Sequence, residues 1–161
     1  FLQKKIIMCK FSGLLLFLTV LAGCSSSGED VMMNSVNNTW NKKTEQKFNL
    51  EIKDPENLKN IIFVVRNNND YPYSNIRFIV NFKNSKTKTM QTDTLNYVLA
   101  KPNGEWLGTG FGETKETFFQ YKLNYKFPEK GTYEIGIMQA MRNDNLPGIE
   151  DIGIRVETAK P

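Results

Sequence analysis

Phe119-Gln120-Tyr121-Lys122-Leu123-Asn124-Tyr125-Lys126-Phe127 decides the fold class. Every odd position is apolar or aromatic, and every even position is polar. A period of two sends alternate side chains to opposite faces of a strand, whereas a helical stripe would repeat every three to four residues. The same period recurs on both sides of this stretch, in Phe48, Leu50 and Ile52, in Phe78, Val80 and Phe82, in Tyr133, Ile135 and Ile137, and in Ile152, Ile154 and Val156. Ile61-Ile62-Phe63-Val64-Val65 is instead a continuous apolar run of strand length, which predicts burial on both faces. No window carries a convincing helical period.

Turn chemistry separates these runs. Lys53-Asp54-Pro55-Glu56-Asn57, Asn67 through Pro72, Pro128-Glu129-Lys130-Gly131 and Asn143 through Gly148 are rich in Pro, Gly, Asn and Asp. These residues supply the fixed or positive φ that turns need. The Pro128–Gly131 stretch is expected to join two antiparallel strands directly. Seven or eight strands at this spacing predict an all-β protein, a single antiparallel β-sandwich of immunoglobulin-like or jelly-roll style. A closed barrel is the second architecture.

The first residues follow a different logic. Lys4, Lys5 and Lys10 precede an apolar run from Phe11 to Ala22. Basic, then apolar, then small residues is the order of an export signal. The run is shorter than the ~20 apolar residues of a spanning helix and is broken by Ser12, Gly13 and Thr19. It ends in Leu21-Ala22-Gly23-Cys24, which resembles the bacterial lipobox. Small residues fit a narrow peptidase groove, and the thiol takes the diacylglyceryl group. The expected organisation is a signal peptide over 1–23, a lipid-anchored flexible tether over 24–39 and a β-sandwich domain over 40–161. Several acyl chains on one residue give stable anchoring, since each buried methylene contributes about 0.8 kcal/mol. The tether is rich in Ser, Gly and Asn, and ~15 such residues span roughly 20 Å. Glu29 and Asp30 are a weak match to a surface-export signal, so either membrane face fits.

Removing the leader changes the balance of the chain. Three of its 21 basic residues lie there, which leaves 18 against 17 acids and a net charge of +1 in place of +4. A near-neutral domain offers no electrostatic footprint for nucleic acid. Both cysteines are spent, Cys9 in the leader and Cys24 under lipid, so the mature chain has no disulfide and no free thiol. There is no histidine. The commonest general base and the usual zinc ligands are therefore missing, and no cofactor or metal is expected. Only chemistry on paired carboxylates remains, and no spacing singles out a pair.

Gly104-Glu105-Trp106-Leu107-Gly108-Thr109-Gly110-Phe111-Gly112 is glycine-rich enough to suggest a phosphate loop. No helix and no Lys-Ser or Lys-Thr pair follows, so bulges and close backbone approach around Trp106 explain the glycines better. An exposed aromatic loop is the third reading. Asn143-Asp144-Asn145 lacks the spacing and the closing glutamate of a calcium loop. Asp70-Tyr71-Pro72-Tyr73-Ser74-Asn75 places two tyrosines around a proline, whose preceding bond tolerates the cis form. Tyr71, Tyr73, Trp106 and Arg142 are the candidate partner contacts, because solvent-facing aromatics and arginine are favoured at interfaces.

Taken in order, several stretches resemble one family, the gliding-motility lipoproteins of the GldH type from Bacteroidetes. They are Asn69 through Ile76, Asp93-Thr94-Leu95, Leu99-Ala100 with Gly104 through Gly110, Phe127-Pro128, Gly131-Thr132-Tyr133, Gln139-Ala140-Met141-Arg142, and Leu146 through Gly153. The resemblance implies a non-enzymatic envelope lipoprotein. Cys24 would tie it to a membrane, expected to be the outer one, and its partners would be envelope motility or type IX secretion proteins. The alternative is a glycan-binding surface lipoprotein that stacks sugars on Trp106, Tyr71 and Tyr73.

Overall fold

The computed structural model describes residues 29–160, and the leader and Cys24 lie outside them. Ten strands follow in order: β1 Glu29–Ser35, β2 Thr39–Asn41, β3 Gln46–Ile52, β4 Lys59–Asn67, β5 Asn75–Asn84, β6 Met90–Val98, β7 Lys115–Tyr125, β8 Gly131–Gln139, β9 Asn145–Pro147 and β10 Ile149–Thr158. The pairing is nested. β1 pairs with β10, β2 with β9, β3 with β8, β4 with β7 and β5 with β6, all antiparallel. Two further antiparallel pairings, β10 with β4 and β5 with β8, complete the sheets β1-β10-β4-β7 and β3-β8-β5-β6. The chain is one long hairpin, with its tip between β5 and β6, rolled into two layers. That is the jelly-roll form of the sandwich.

The roll explains where the strands bury their alternate residues. Phe48, Leu50 and Ile52 of β3, Ile76, Phe78, Val80 and Phe82 of β5, and Ile152, Ile154 and Val156 of β10 all point into one core. Each such side chain contributes about 1.5–3 kcal/mol by leaving water. Ile61 through Val65 of β4 are buried on both faces, as their unbroken apolar run requires. At the centre Phe63 stacks on Tyr121 with centroids 4.7 Å apart, and Tyr97 stacks on Phe119 at 4.4 Å.

Several expectations are corrected. The tether was placed over 24–39, but Glu29–Ser35 forms β1 and Thr39–Asn41 forms β2. A polar edge strand has only one partner and a half-covered face, so its sequence lacks the apolar period. The strands number ten where seven or eight were expected, two of them only three residues long. The Pro128–Gly131 stretch does not join a hairpin, since β7 and β8 lie in different sheets. No cis peptide bond occurs among the described residues, so Tyr71–Pro72 is trans.

The opening alternation also breaks inside β7. Its register against β4 shifts twice, between Lys59 and Ile61 and between Ile61 and Ile62. Asn124 takes a positive φ of 50°, and its amide donates to Asn60 Oδ1 at 3.0 Å. Such bulges reverse the face a residue occupies. Leu123 is consequently 49% exposed, while Lys122 turns between the layers. Its ammonium lies 4.7 Å from the Tyr121 ring centroid and 5.3 Å from that of Tyr125, and 3.8 Å from the Asp93 carboxylate. Aromatic faces and a carboxylate are the two surroundings that make a half-buried ammonium tolerable.

Asp93 also accepts a 2.6 Å hydrogen bond from the Tyr121 hydroxyl. Burial, and then the Asp93 charge, push the Tyr97 hydroxyl up to about 12. Burial followed by the Asp93 hydrogen bond raises Tyr121 as well. The folded state therefore holds these phenols neutral above the ordinary tyrosine value of about 10. That contribution is full below about pH 10 and is lost as pH climbs toward 12 and beyond. Urea midpoints are expected to be insensitive to phenol ionisation below pH 10 and to fall above it. Phenolate absorbance of Tyr97 should appear only near pH 12 in the folded protein, and near pH 10 once the chain unfolds. Full titration of all six tyrosines near pH 10 in the folded protein would refute this.

Candidate functional site at the loop end

The stretches singled out in the sequence meet at one end of the roll, opposite the end where β1 begins. Three longer connections form most of it, 68–74 between β4 and β5, 99–114 between β6 and β7, and 140–144 between β8 and β9, beside the short 36–38 and 42–45 on either side of β2. The one-residue turn at Gly148 joins them.

Asn68 is the centre of the scaffold. Its side-chain amide donates to Asn38 Oδ1 at 2.7 Å and to Glu150 Oε1 at 3.0 Å, and its Oδ1 accepts the Asp70 amide at 3.0 Å. The other oxygen of Glu150 accepts the Thr114 hydroxyl at 2.9 Å, which ties the glycine-rich connection to the same point. Gly148 has φ +80°, and a Cβ there would strike the backbone of Asp70 and Tyr71. Its carbonyl accepts the Asn68 amide at 2.9 Å. A buried amide with partners on the 36–38 connection, on β10 and on its own connection fixes them as a unit.

The predicted contacts divide. Tyr71 is only 3% exposed, and its hydroxyl donates to the Asn75 carbonyl at 2.7 Å. Burial is the main reason its ionisation is pushed well upward. It is a packing residue, and a three-ring sugar platform is not formed. Trp106 is half-buried, tilted against Tyr71 at 6.3 Å, with its indole N–H donating to Asn69 Oδ1 at 3.1 Å. Tyr73 is half-buried, 5.9 Å from Tyr71, and donates to Asn143 Oδ1 at 2.5 Å. That bond links the aromatic chain to the connection carrying Arg142, which is exposed and makes no ion pair among the described residues. Buried Gln139 holds this connection, donating to the Asn143 carbonyl at 2.9 Å and accepting the Met141 amide at 2.8 Å. Asp144 pairs with Lys42 at 2.8 Å, and that hydrogen bond lowers its ionisation below the usual carboxylate value.

The glycine-rich stretch shows the feature that sequence reading missed. Thr109 and Glu116 exchange backbone hydrogen bonds of 3.0 and 2.8 Å, closing a small loop. A Cβ on Gly108 would meet the Glu116 carbonyl, and one on Gly110 the Thr114 carbonyl, so both glycines allow close backbone approach. The Lys115 ammonium donates to the carbonyls of Gly110 at 3.3 Å and Gly112 at 3.0 Å. A lysine turned onto carbonyls is the reverse of a phosphate cradle, in which amides face the ligand. At the tip Phe111 is fully exposed, and Leu107 is 46% exposed on the same loop. A phenyl ring between two glycines, with no apolar neighbour in sequence to pack on, was the available signal.

This geometry separates scaffold from surface. Gly148→Ala is expected to cost about 2 kcal/mol or more, from positive φ and from collision with the Tyr71 backbone. Phe111→Ser should change stability by less than about 0.5 kcal/mol, because the ring packs on solvent. Chemical denaturation of the two variants beside the parent checks both.

The comparisons with known proteins bear on the whole described chain. The GldH lipoprotein profile matches residues 31–156. "Gliding motility lipoprotein GldH homolog" of Christiangramia forsetii is 43% identical over 125 residues, covering 73% of this chain and 76% of that protein. "Gliding motility lipoprotein GldH" of Flavobacterium johnsoniae is 35% identical over 156 residues, covering 92% of this chain and 96% of the relative. Among solved structures, dimeric latent PorU from Porphyromonas gingivalis aligns with 85% of this chain and 14% of its own, at 7% identity and a TM-score of 0.31, too distant to bear on the fold. With a matched profile over most of the rolled sandwich and relatives 43% and 35% identical over most of the chain, the chain belongs to the GldH lipoprotein family.

Proposed function

We propose that this protein is a non-enzymatic, lipid-anchored component of a gliding-motility or type IX secretion apparatus, held at the outer membrane through Cys24. Its loop end docks an envelope partner protein. The observation that carries the reading is Phe111 with Leu107, both exposed on a loop cinched by Lys115 and the Thr109–Glu116 bonds. An apolar ring held out at a fixed position is the kind of anchor that carries binding energy at interfaces. The relatives are named for gliding motility, and the lipobox ahead of β1 supports attachment to a membrane.

The test is affinity capture of the lipidated protein from its native envelope. Phe111→Ser with Leu107→Ser should lower recovery of motility or secretion proteins at least ~10-fold, the loss of a typical hot spot, while membrane association stays unchanged. Cys24→Ala should release the chain from the membrane fraction. Equal recovery with the double variant would sink the docking assignment. Full membrane retention of Cys24→Ala would sink the anchor.

A further inference from the structure

The end opposite the loop site has its own chemistry. β1 begins there, since Glu29 pairs with Glu157 near the close of β10. β3, β5 and β7 also end there, at Ile52, Asn84 and Tyr125. The connections at this end are 53–58, 85–89 and 126–130, with residues 159–160 beside them. They are held together, because the Ala159 amide donates to Leu58 at 2.9 Å, the Ser85 amide donates to Thr132 at 3.0 Å, and Lys126 pairs with Glu56 at 3.3 Å.

The charge on these connections is one-sided. They carry Lys53, Lys86, Lys88, Lys126, Lys130 and Lys160 against Asp54, Glu56 and Glu129. Two of the three carboxylates are already taken, Glu56 by Lys126 and Glu129 by Lys86. Lys53, Lys88 and Lys130 are exposed and form no ion pair among the described residues. At the strand ends behind them Lys59 and Lys83 stand among Glu29, Asp30, Glu51 and Glu157. The connections at the loop end hold four cations, Lys42, Lys43, Lys101 and Arg142, against five carboxylates. The surplus of lysine is thus confined to the connections, which project past the strand ends.

This end is also where the chain enters. β1 starts five residues after Cys24. Five residues reach at most about 18 Å. The proposed anchor thus keeps this end within roughly two screening lengths of the bilayer surface. Resting on the reading of Cys24 as the anchor, we propose that the lysines of connections 53–58, 85–89 and 126–130 seat on anionic lipid headgroups of the bilayer that holds that residue. The seat orients the strands away from the membrane and turns Phe111 outward. Each lysine near an anionic surface strengthens association about fivefold.

The test uses the full lipidated chain in vesicles of phosphatidylcholine alone and of phosphatidylcholine with one third phosphatidylglycerol. Amide hydrogen exchange is read in the 85–89 and 126–130 connections and in the 107–113 loop. In the anionic vesicles at low salt, protection of the two basic connections should rise at least ~10-fold. It should fall back at high salt, and the 107–113 loop should not respond. Lys53→Gln with Lys88→Gln and Lys130→Gln removes only unpaired cations, so the fold is kept and the rise should disappear. Vesicle-bound protein with equal protection in both lipids overturns the headgroup contact and leaves the anchor standing. A wild-type response in the triple variant overturns the assignment to these lysines. Wild-type chain that binds neither vesicle overturns the anchor, and this seat with it.

Discussion

The pairing of β10 with β4 is the constraint on which the rest depends. Nested pairs alone would give one long ribbon with a hydrophobic face and nothing to cover it. β10 and β4 lie side by side through nine partner positions, from Ile149 opposite Asn67 to Thr158 opposite Lys59. That contact joins the outermost pair of the hairpin to an inner one, and β5 with β8 does the same in the other layer. Residues far apart in sequence must meet before any core is enclosed, which is costly in loop entropy and makes such folds slow to form. Once it is made, β4 is central in its sheet and is buried on both faces, while β1 and β7 remain as edges.

How far the sequence announced this can be argued strand by strand. β3, β5, β8 and β10 are paired on at least one side by apolar-rich neighbours and face a single core, so their period of two was plain. β1 was invisible, because Glu29-Asp30-Val31-Met32-Met33-Asn34-Ser35 is a polar edge with one partner, and its composition reads as linker. β7 was legible as a strand, yet its most regular alternation hid two bulges. Bulges answer to the partner strand, here to Asn60 and Ile61, and a single strand's pattern does not contain its partner. The layers to which β7 and β8 belong were likewise a matter of pairing, which is why the turn between them was misread.

At the loop end the same distinction holds. The stretches that mark the family were readable as sequence, and the fold brings them to one place. Their roles were not readable. Tyr71 looks like a contact residue and is a wedge between connections, and Gly148 looks like a turn glycine and is the clearance that lets Tyr71 pass. Asn68 owes its importance to partners 30 and 82 residues away. Phe111 drew no notice because exposure is a property of the assembled surface. Carboxylates in this end are likewise occupied: Glu150 and Asp144 hold backbone connections in place by accepting from named donors.

The short entry into β1 has a mechanical side. β1 runs from the end nearer Cys24 in sequence toward the loop end and is held to β10 by seven partner positions along its length. A pull applied between the start of β1 and the loop end acts along the axis of β1. The ladder is then stressed in shear, with its bonds sharing the force together, and is not peeled open one bond at a time. An edge strand that contributes little to the core is thereby placed as the strap between the residues that precede it and the body of the sandwich.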